Sequence, residues 1–267
     1  MCNPLVSIVT VTYNAQDTIE ETILSVINQD YDNIEYIIID GNSKDSTVDI
    51  IKKHEDRISY WVSEPDKGLY DAMNKGIKIA KGEWITFRNS GDLFLERDSL
   101  SKLFKEPISE STDVIYADCI HISEEGYKLS KPRPLTTYRR SMPINHPATF
   151  IRTALHKEIP FDLQYKISAD YNMIYRCIEM GKQFEYRPVA IVSFPIGGFA
   201  NTHWKDAIKE CCRIQGRTKS LGGWAYTYCN IVYVWFHLKI IMPISKLFHK
   251  KEEGEWKPLP LPYKNFY

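Results

Sequence analysis

A chain of 267 residues, 43% of them hydrophobic, can bury one large core, which excludes a disordered segment or a small scaffold held together by cross-links. Its 34 basic and 34 acidic side chains cancel, so no overall field points to nucleic acid, and partners must be argued locally. Six cysteines, at positions 2, 119, 177, 211, 212 and 229, form no Cys-x-x-Cys pair, a pattern suited to a reducing compartment rather than a disulfide framework or zinc site.

The opening "MCNPLVSIVTVTYN" has no basic stretch before its apolar run and no small-residue cleavage site, which predicts a cytoplasmic start. Leu5 to Val11 is a β-branched run and predicts a strand. Asp17 to Gln29 follows with Ile19, Ile23, Val26 and Ile27 near helical spacing and Asp17 and Glu20 placed to cap it. The alternation continues through strand 34–40, helix 45–54, strand 58–62, helix 69–80 and strand 83–87. Four strands alternating with three helices predict an α/β fold with a mostly parallel sheet covered on both faces. Ligands of such sheets bind beyond the carboxyl ends of the strands, where the loops read "TYNAQD", "DGNSKDS", "EPDKG" and "RNSGD".

Past residue 95 the pattern loosens. A strand over 113–122 turns at Glu125-Gly126, and the Pro-rich stretch 131–147 forms a loop layer over the crevice. Helix 168–181 has Ser168 as cap and Gly181 as stop, and two short strands, "KQFEY" and "VAIVSF", lead into "PIGGFAN". Residues 224–250 are rich in aromatics, carry Lys239, Lys246 and Lys250 and lack acidic residues. Asn230, His237, Lys239 and Pro243 interrupt the stretch, so it predicts an amphipathic helix on a membrane surface rather than a span, with packing back on the domain as the alternative. The chain thus divides into a domain over 1–223, with halves 1–95 and 96–223, and a membrane-proximal tail (224–267).

Three stretches, "VSIVTVTYNAQDTIEETILSVINQDYDNIEYIIIDGNSKDSTVDII", "EPDKGLYDAMNKGIKIAKGEWITFRNSGD" and "SADYNMIYR", resemble the family 2 glycosyltransferases of the GT-A fold, especially bacterial ones of exopolysaccharide and colanic-acid-type pathways. The resemblance spans roughly residues 4–200 and implies that 1–95 is the nucleotide-sugar-binding half and 96–223 the acceptor-side half. It implies an inverting, metal-dependent transferase at the inner face of the plasma membrane. The substrates would be a nucleotide diphosphate sugar, UDP-linked by preference, and a glycan or lipid-linked acceptor.

By the same resemblance Asp40 accepts the imide N–H of the base, although it also suits a loop cap and a guanine ring offers a similar donor. Thr12 and Tyr13 flank the base. Lys67 meets a phosphate or is a solvated lysine, and Asn74 sits near the donor. Asp71 touches sugar hydroxyls or pairs with Lys75 along the helix. Asn89 and Gly91 stand where the family's Asp-Ser-Asp-Asp pattern has aspartates. Asn89 is assigned to the nucleotide sugar and Asp92, the last of the pattern, to Mn²⁺ or Mg²⁺, with diphosphate oxygens and water completing the shell. Asp170 matches the catalytic base and equally suits the first turn of a helix. His146 lines the acceptor side or is structural, and His203 is an added candidate metal ligand.

Two other enzyme classes lack their signatures. No Gly-x-Gly-x-x-Gly follows the first strand, as a dehydrogenase requires, and no glycine-rich triphosphate loop marks a nucleotidyltransferase. A GT-A protein that binds glycans without catalysis is the remaining rival, motivated by the single carboxylate of the 89–92 loop.

Overall fold

The computed structural model describes residues 3–123, 126–195, 197, 202–236 and 239. The β-branched run forms β1 (Val6–Thr12), and the periodic segment behind it forms α1 (Ile19–Ile27). The unit repeats as β2 (Ile34–Asp40), α2 (Thr47–Lys53), β3 (Tyr60–Ser63), α3 (Leu69–Ile79) and β4 (Trp84–Phe87). There follow β5 (Leu93–Phe94), α4 (Ser99–Leu103), β6 (Val114–Ser123), β7 (Gly126–Ser130), β8 (Thr149–Arg152) and α5 (Thr153–Glu158). The described elements end with α6 (Ala169–Glu179), β9 (Phe184–Pro195), α7 (Trp204–Ile214) and α8 (Leu221–Phe236).

All nine strands belong to one sheet of order β3-β2-β1-β4-β8-β6-β9-β5, with β7 paired to β6 off that path. The first four strands pair in parallel, as their helical crossovers require. Beyond β4 the sheet is mixed: β8 runs antiparallel to β4 and β6, and β5 antiparallel to β9, while β6 and β9 are parallel.

Side chains alternate between two cores, as strand geometry dictates. Val9, Val11, Ile37, Ile39, Ile85 and Phe87 face α3, α5 and α6. Val6, Ile8, Tyr36, Ile38, Trp84 and Ile115 face α1, α2 and α4. Gly76 lets α3 lie flat on β1, since a Cβ there would come within 2.4 Å of Val9 Cγ1.

Three local expectations change. Thr18, without a side-chain cap bond, is the N-cap of α1, and Glu20 instead reaches Lys53 (2.6 Å) and His54 (3.2 Å) on the neighbouring helical segment. Ser168 sits at the N-cap of α6 but makes no side-chain cap bond either. The two short strands near the end are one strand, β9, whose register against β6 jumps from Ala117↔Arg187 to Asp118↔Ala190. Pro188 lies in that jump and has no N–H for the ladder, so the strand bulges there instead of ending.

Of the tail, residues 224–236 and 239 are described and the remainder lies outside the described residues. α8 packs beside α7 and leaves Trp224, Tyr228, Val232, Tyr233 and Trp235 exposed. No described helix is long and apolar enough to cross a membrane.

Candidate active site

Parallel register gathers the first set of residues. Thr12 lies opposite Asp40 and Asp40 opposite Ser63, so the ends of β1, β2 and β3 share one edge. Asp40 is fully buried, and its Oδ2 accepts from Ser63 Oγ–H (2.6 Å) and Ser43 N–H (2.9 Å) while Oδ1 accepts from Ser43 Oγ–H (2.5 Å). The carboxylate thereby closes its own loop and fastens it to β3. Asn14, at φ 46°, binds that loop to the first one by donating its N–H to Ser43 Oγ and accepting from Lys44 N–H, each at 2.8 Å.

Tyr13 stands 62% exposed above this edge, leaving its ring face open. Gly41 lies under it: a Cβ there would meet Asp66 Oδ2 at 2.5 Å and Tyr13 Cδ2 at 3.3 Å, which explains why a second aspartate cannot follow Asp40 without moving Asp66. Asp66 was not singled out from the sequence, although the turn signature Pro65-Asp66-Lys67-Gly68 marks it. Its Oδ1 accepts Gly68 N–H at 2.7 Å and fixes the entry to α3.

The α3 residues divide. Asp71 Oδ2 accepts the backbone N–H of Lys67 at 2.9 Å, and Lys75 turns away to Glu64 (2.7 Å) and the Pro65 carbonyl, so the expected Asp71–Lys75 pair does not form. Lys67 is exposed beside the crevice. Asn74 bridges to the other half of the chain: its Nδ2 donates to Phe161 O at 2.8 Å and its Oδ1 accepts Phe161 N–H at 2.9 Å. Both ends of the amide clamp backbone of the segment between α5 and α6.

After β4 the chain enters the 89–92 loop. Arg88, fully buried, donates Nη1 to Phe87 O (2.6 Å), to Thr86 Oγ1 (3.2 Å) and to Pro147 O, and its guanidinium lies 4.1 Å from the centre of the Phe94 ring. Burial pushes Arg88 down to about 9, opposed by the charge of Asp92. Burial likewise pushes Asp92 up to about 7, opposed by Arg88 and by the Asn89 backbone. In the same loop Asn89 Oδ1 and Ser90 Oγ are buried without hydrogen-bond partners. One carboxylate and two orphaned oxygens are the donor types that hard divalent cations take, so these residues fit such an ion when diphosphate oxygens complete its shell. Among the described residues no three His, Cys, Asp or Glu side chains cluster as a metal site. His203 is the N-cap residue of α7, with Nδ1 2.9 Å from Thr202 Oγ1.

The second set of expected residues is built around α6. Asp170 lies in its first turn, where Oδ1 accepts the backbone N–H of Tyr171 at 2.8 Å and faces Tyr70 Oη at 3.0 Å. The single Tyr70 proton is shared with Ile167 O at 2.7 Å, so a tyrosine of α3 holds the carboxylate against the donor half. Burial, and next the charge of Asp170, push the Tyr70 hydroxyl well above its ordinary range, which keeps it a donor.

His146 stacks on Phe87 (5.5 Å between ring centres) and meets Phe161 edge-on. Its pKa is lowered by burial, with Asp170 opposing and Arg88 reinforcing. Glu210 of α7 was missed from the sequence: its carboxylate accepts the N–H groups of Lys166 (2.7 Å), Ile167 (3.0 Å) and Ser168 (2.8 Å), the segment leading into Asp170. The only sequence signal was an acidic residue on an otherwise packed helix face.

Residues 7–164 match the family described as "Glycosyl transferase family 2". A "PGL/p-HBAD biosynthesis glycosyltransferase" of Mycobacterium bovis (strain BCG / Pasteur 1173P2) is 28% identical over 209 residues, 76% of this chain and 81% of that protein. Among solved structures, S. aureus TarS 1-349 in complex with UDP-GlcNAc has a TM-score of 0.62 at 17% identity, covering 79% of this chain and 66% of that one. Mannosyltransferase PcManGT from Pyrobaculum calidifontis, in complex with GDP-Man and Mn²⁺, has a TM-score of 0.63 at 17% identity, covering 82% and 64%. The architecture is that of the GT-A glycosyltransferases.

Proposed function

Because the chain belongs to glycosyl transferase family 2, we propose that it moves a sugar from a UDP-sugar, with inversion, to a hydroxyl of a glycan or lipid-linked acceptor in surface polysaccharide synthesis. The supporting observation is geometric: the parallel register sets Thr12, Asp40 and Ser63 at one sheet edge below the exposed Tyr13 ring, and Tyr70 of α3 places its hydroxyl 3.0 Å from Asp170 Oδ1, tying the proposed base to the half that carries those loops. Asp170 takes the acceptor hydroxyl proton as that oxygen bonds to the anomeric carbon, and the electron pair of the broken C–O bond leaves with the diphosphate. Attack opposite the leaving group inverts the centre. Tyr70 holds the Asp170 carboxylate, Tyr13 offers a ring face to the base, and Asp40 accepts from the base N–H. Asp92, with Asn89 and Ser90 beside it, would hold Mn²⁺ or Mg²⁺, which would supply positive charge to the departing diphosphate.

The exposed aromatic face of α8 supports contact with the inner face of the plasma membrane. Full-length protein floats with anionic liposomes on this reading, and protein remaining at the bottom of the gradient overturns it.

Asp170→Asn decides the catalytic assignment. Turnover falls by about 10² to 10⁴-fold with UDP affinity preserved if the carboxylate is the base. A folded, UDP-binding variant with near wild-type transfer removes Asp170 from that role. If wild type binds UDP with Mn²⁺ but never hydrolyses or transfers a UDP-sugar, the non-catalytic glycan-binding reading takes over.

A further inference from the structure

A second cavity, of about 440 Å³, opens between α7, α8 and residues 140–142, apart from the donor crevice. Met142, Trp204, Ile208 and Val234 give it apolar walls, and its only charged lining groups are Arg140 and Arg217. Neither arginine has a carboxylate partner among the described residues. Arg217 donates to Arg139 O (3.1 Å) and lies 4.3 Å from the Tyr226 ring centre, and the Arg140 guanidinium makes no hydrogen bond. The nearby carboxylates are engaged elsewhere: Glu179 by Tyr138 and Arg139, and Glu210 by backbone. The cavity also adjoins the proposed base, because Cys211 lines it and places Sγ 3.7 Å from Ser168 Oγ, two residues before Asp170.

Two guanidiniums without a carboxylate partner among the described residues, lining an apolar groove, suit an anionic head joined to a hydrocarbon chain, since arginine matches phosphate geometry and the walls exclude water from the chain. We propose that this groove binds the lipid phosphate of the acceptor, with Arg140 and Arg217 on the phosphate and the apolar walls on the chain. The assignment rests on the transferase reading for the word acceptor, while the binding it describes does not require transfer.

The test titrates dodecyl phosphate, dodecanol and inorganic phosphate into the full-length protein by calorimetry, without donor and below micelle formation. Dodecyl phosphate binds, and dodecanol and inorganic phosphate each bind at least about tenfold more weakly. Arg140→Gln, at a side chain with no protein partner, weakens dodecyl phosphate by about tenfold and leaves dodecanol unchanged. Ala207→Trp fills the groove and removes both lipids.

Unchanged dodecyl phosphate affinity in both variants overturns the proposal. So does an affinity that falls instead in Trp235→Ser on the exposed face of α8, which marks adsorption to the membrane-facing surface. Absence of binding to the full chain overturns it too. A parallel UDP titration keeps the two readings apart: lost donor binding with groove binding intact counts against the transferase and not against the groove.

Discussion

Glu210 is the residue whose removal is most informative, because one side chain from α7 holds the segment carrying the proposed base. Its carboxylate accepts three backbone N–H groups at 2.7, 3.0 and 2.8 Å, from Lys166, Ile167 and Ser168. Hydrogen bonds to a charged acceptor contribute about 1.5 to 3 kcal/mol each, and a buried donor left unpaired costs about 1 to 3 kcal/mol. Ser168 is buried, whereas Lys166 and Ile167 have some access to water that softens their loss. Glu210→Ala is therefore expected to destabilise the fold by about 3 to 5 kcal/mol, and Glu210→Gln, which keeps an amide oxygen, by about 1.5 to 3 kcal/mol. Urea unfolding followed by tryptophan fluorescence measures both. On the folded fraction, turnover falls while UDP affinity holds, because Asp170 shifts and the donor loops do not. An Ala variant with an unchanged midpoint, or one that loses UDP binding as strongly as turnover, refutes the reasoning.

Asn74→Ala breaks the clamp on Phe161 and is expected to cost about 2 to 4 kcal/mol in urea unfolding, and UDP affinity lost without loss of stability assigns Asn74 to the donor instead. Tyr70→Phe removes the hydroxyl facing Asp170 and lowers turnover about tenfold with unchanged UDP affinity, whereas a change in UDP affinity alone contradicts a positioning role. His156 is fully buried between Phe87 and Phe161, and burial pushes its imidazole down to about 4. The unfolded chain takes up this proton below about 6.5 and the folded one only near 4, so stability present above 6.5 falls by about 3 kcal/mol as pH drops through that window. A pH series of unfolding free energies in which His156→Leu keeps the full wild-type slope shows that another group carries it.

The parallel half was legible because its physics is local. β-branched runs such as Ile34–Asp40 and helical spacing such as Ile19, Ile23, Val26 encode their elements within a few residues, and parallel register then aligns Thr12, Asp40 and Ser63. Asn74, Tyr70 and Glu210 were not legible in their observed roles, because each acts on backbone or side chains about 40 to 100 positions away, where no periodicity reaches. β9 was split in two because Pro188 gives the same local signal whether a strand ends or bulges. Arg88 looked like the first polar residue of a loop; only the packing of Phe94 and the carbonyl of Pro147 show that it is interior.

The β5–β9 ladder sets an order in time. β1 and β2 join Val6 to Ile34, and β2 and β3 join Ile37 to Tyr60, whereas Leu93 must wait for Ser193. A chain emerging from the ribosome can settle its first three strands early, since short loops close readily and long-range pairing is slow. The loop carrying Asp92 lies just before β5 and turns at Gly91, whose missing Cβ would sit 4.0 Å from Pro195 Cγ. On the nascent chain, the 89–92 loop therefore gains its β5–β9 anchor only after residue 193, and with it residue 170, has left the exit tunnel.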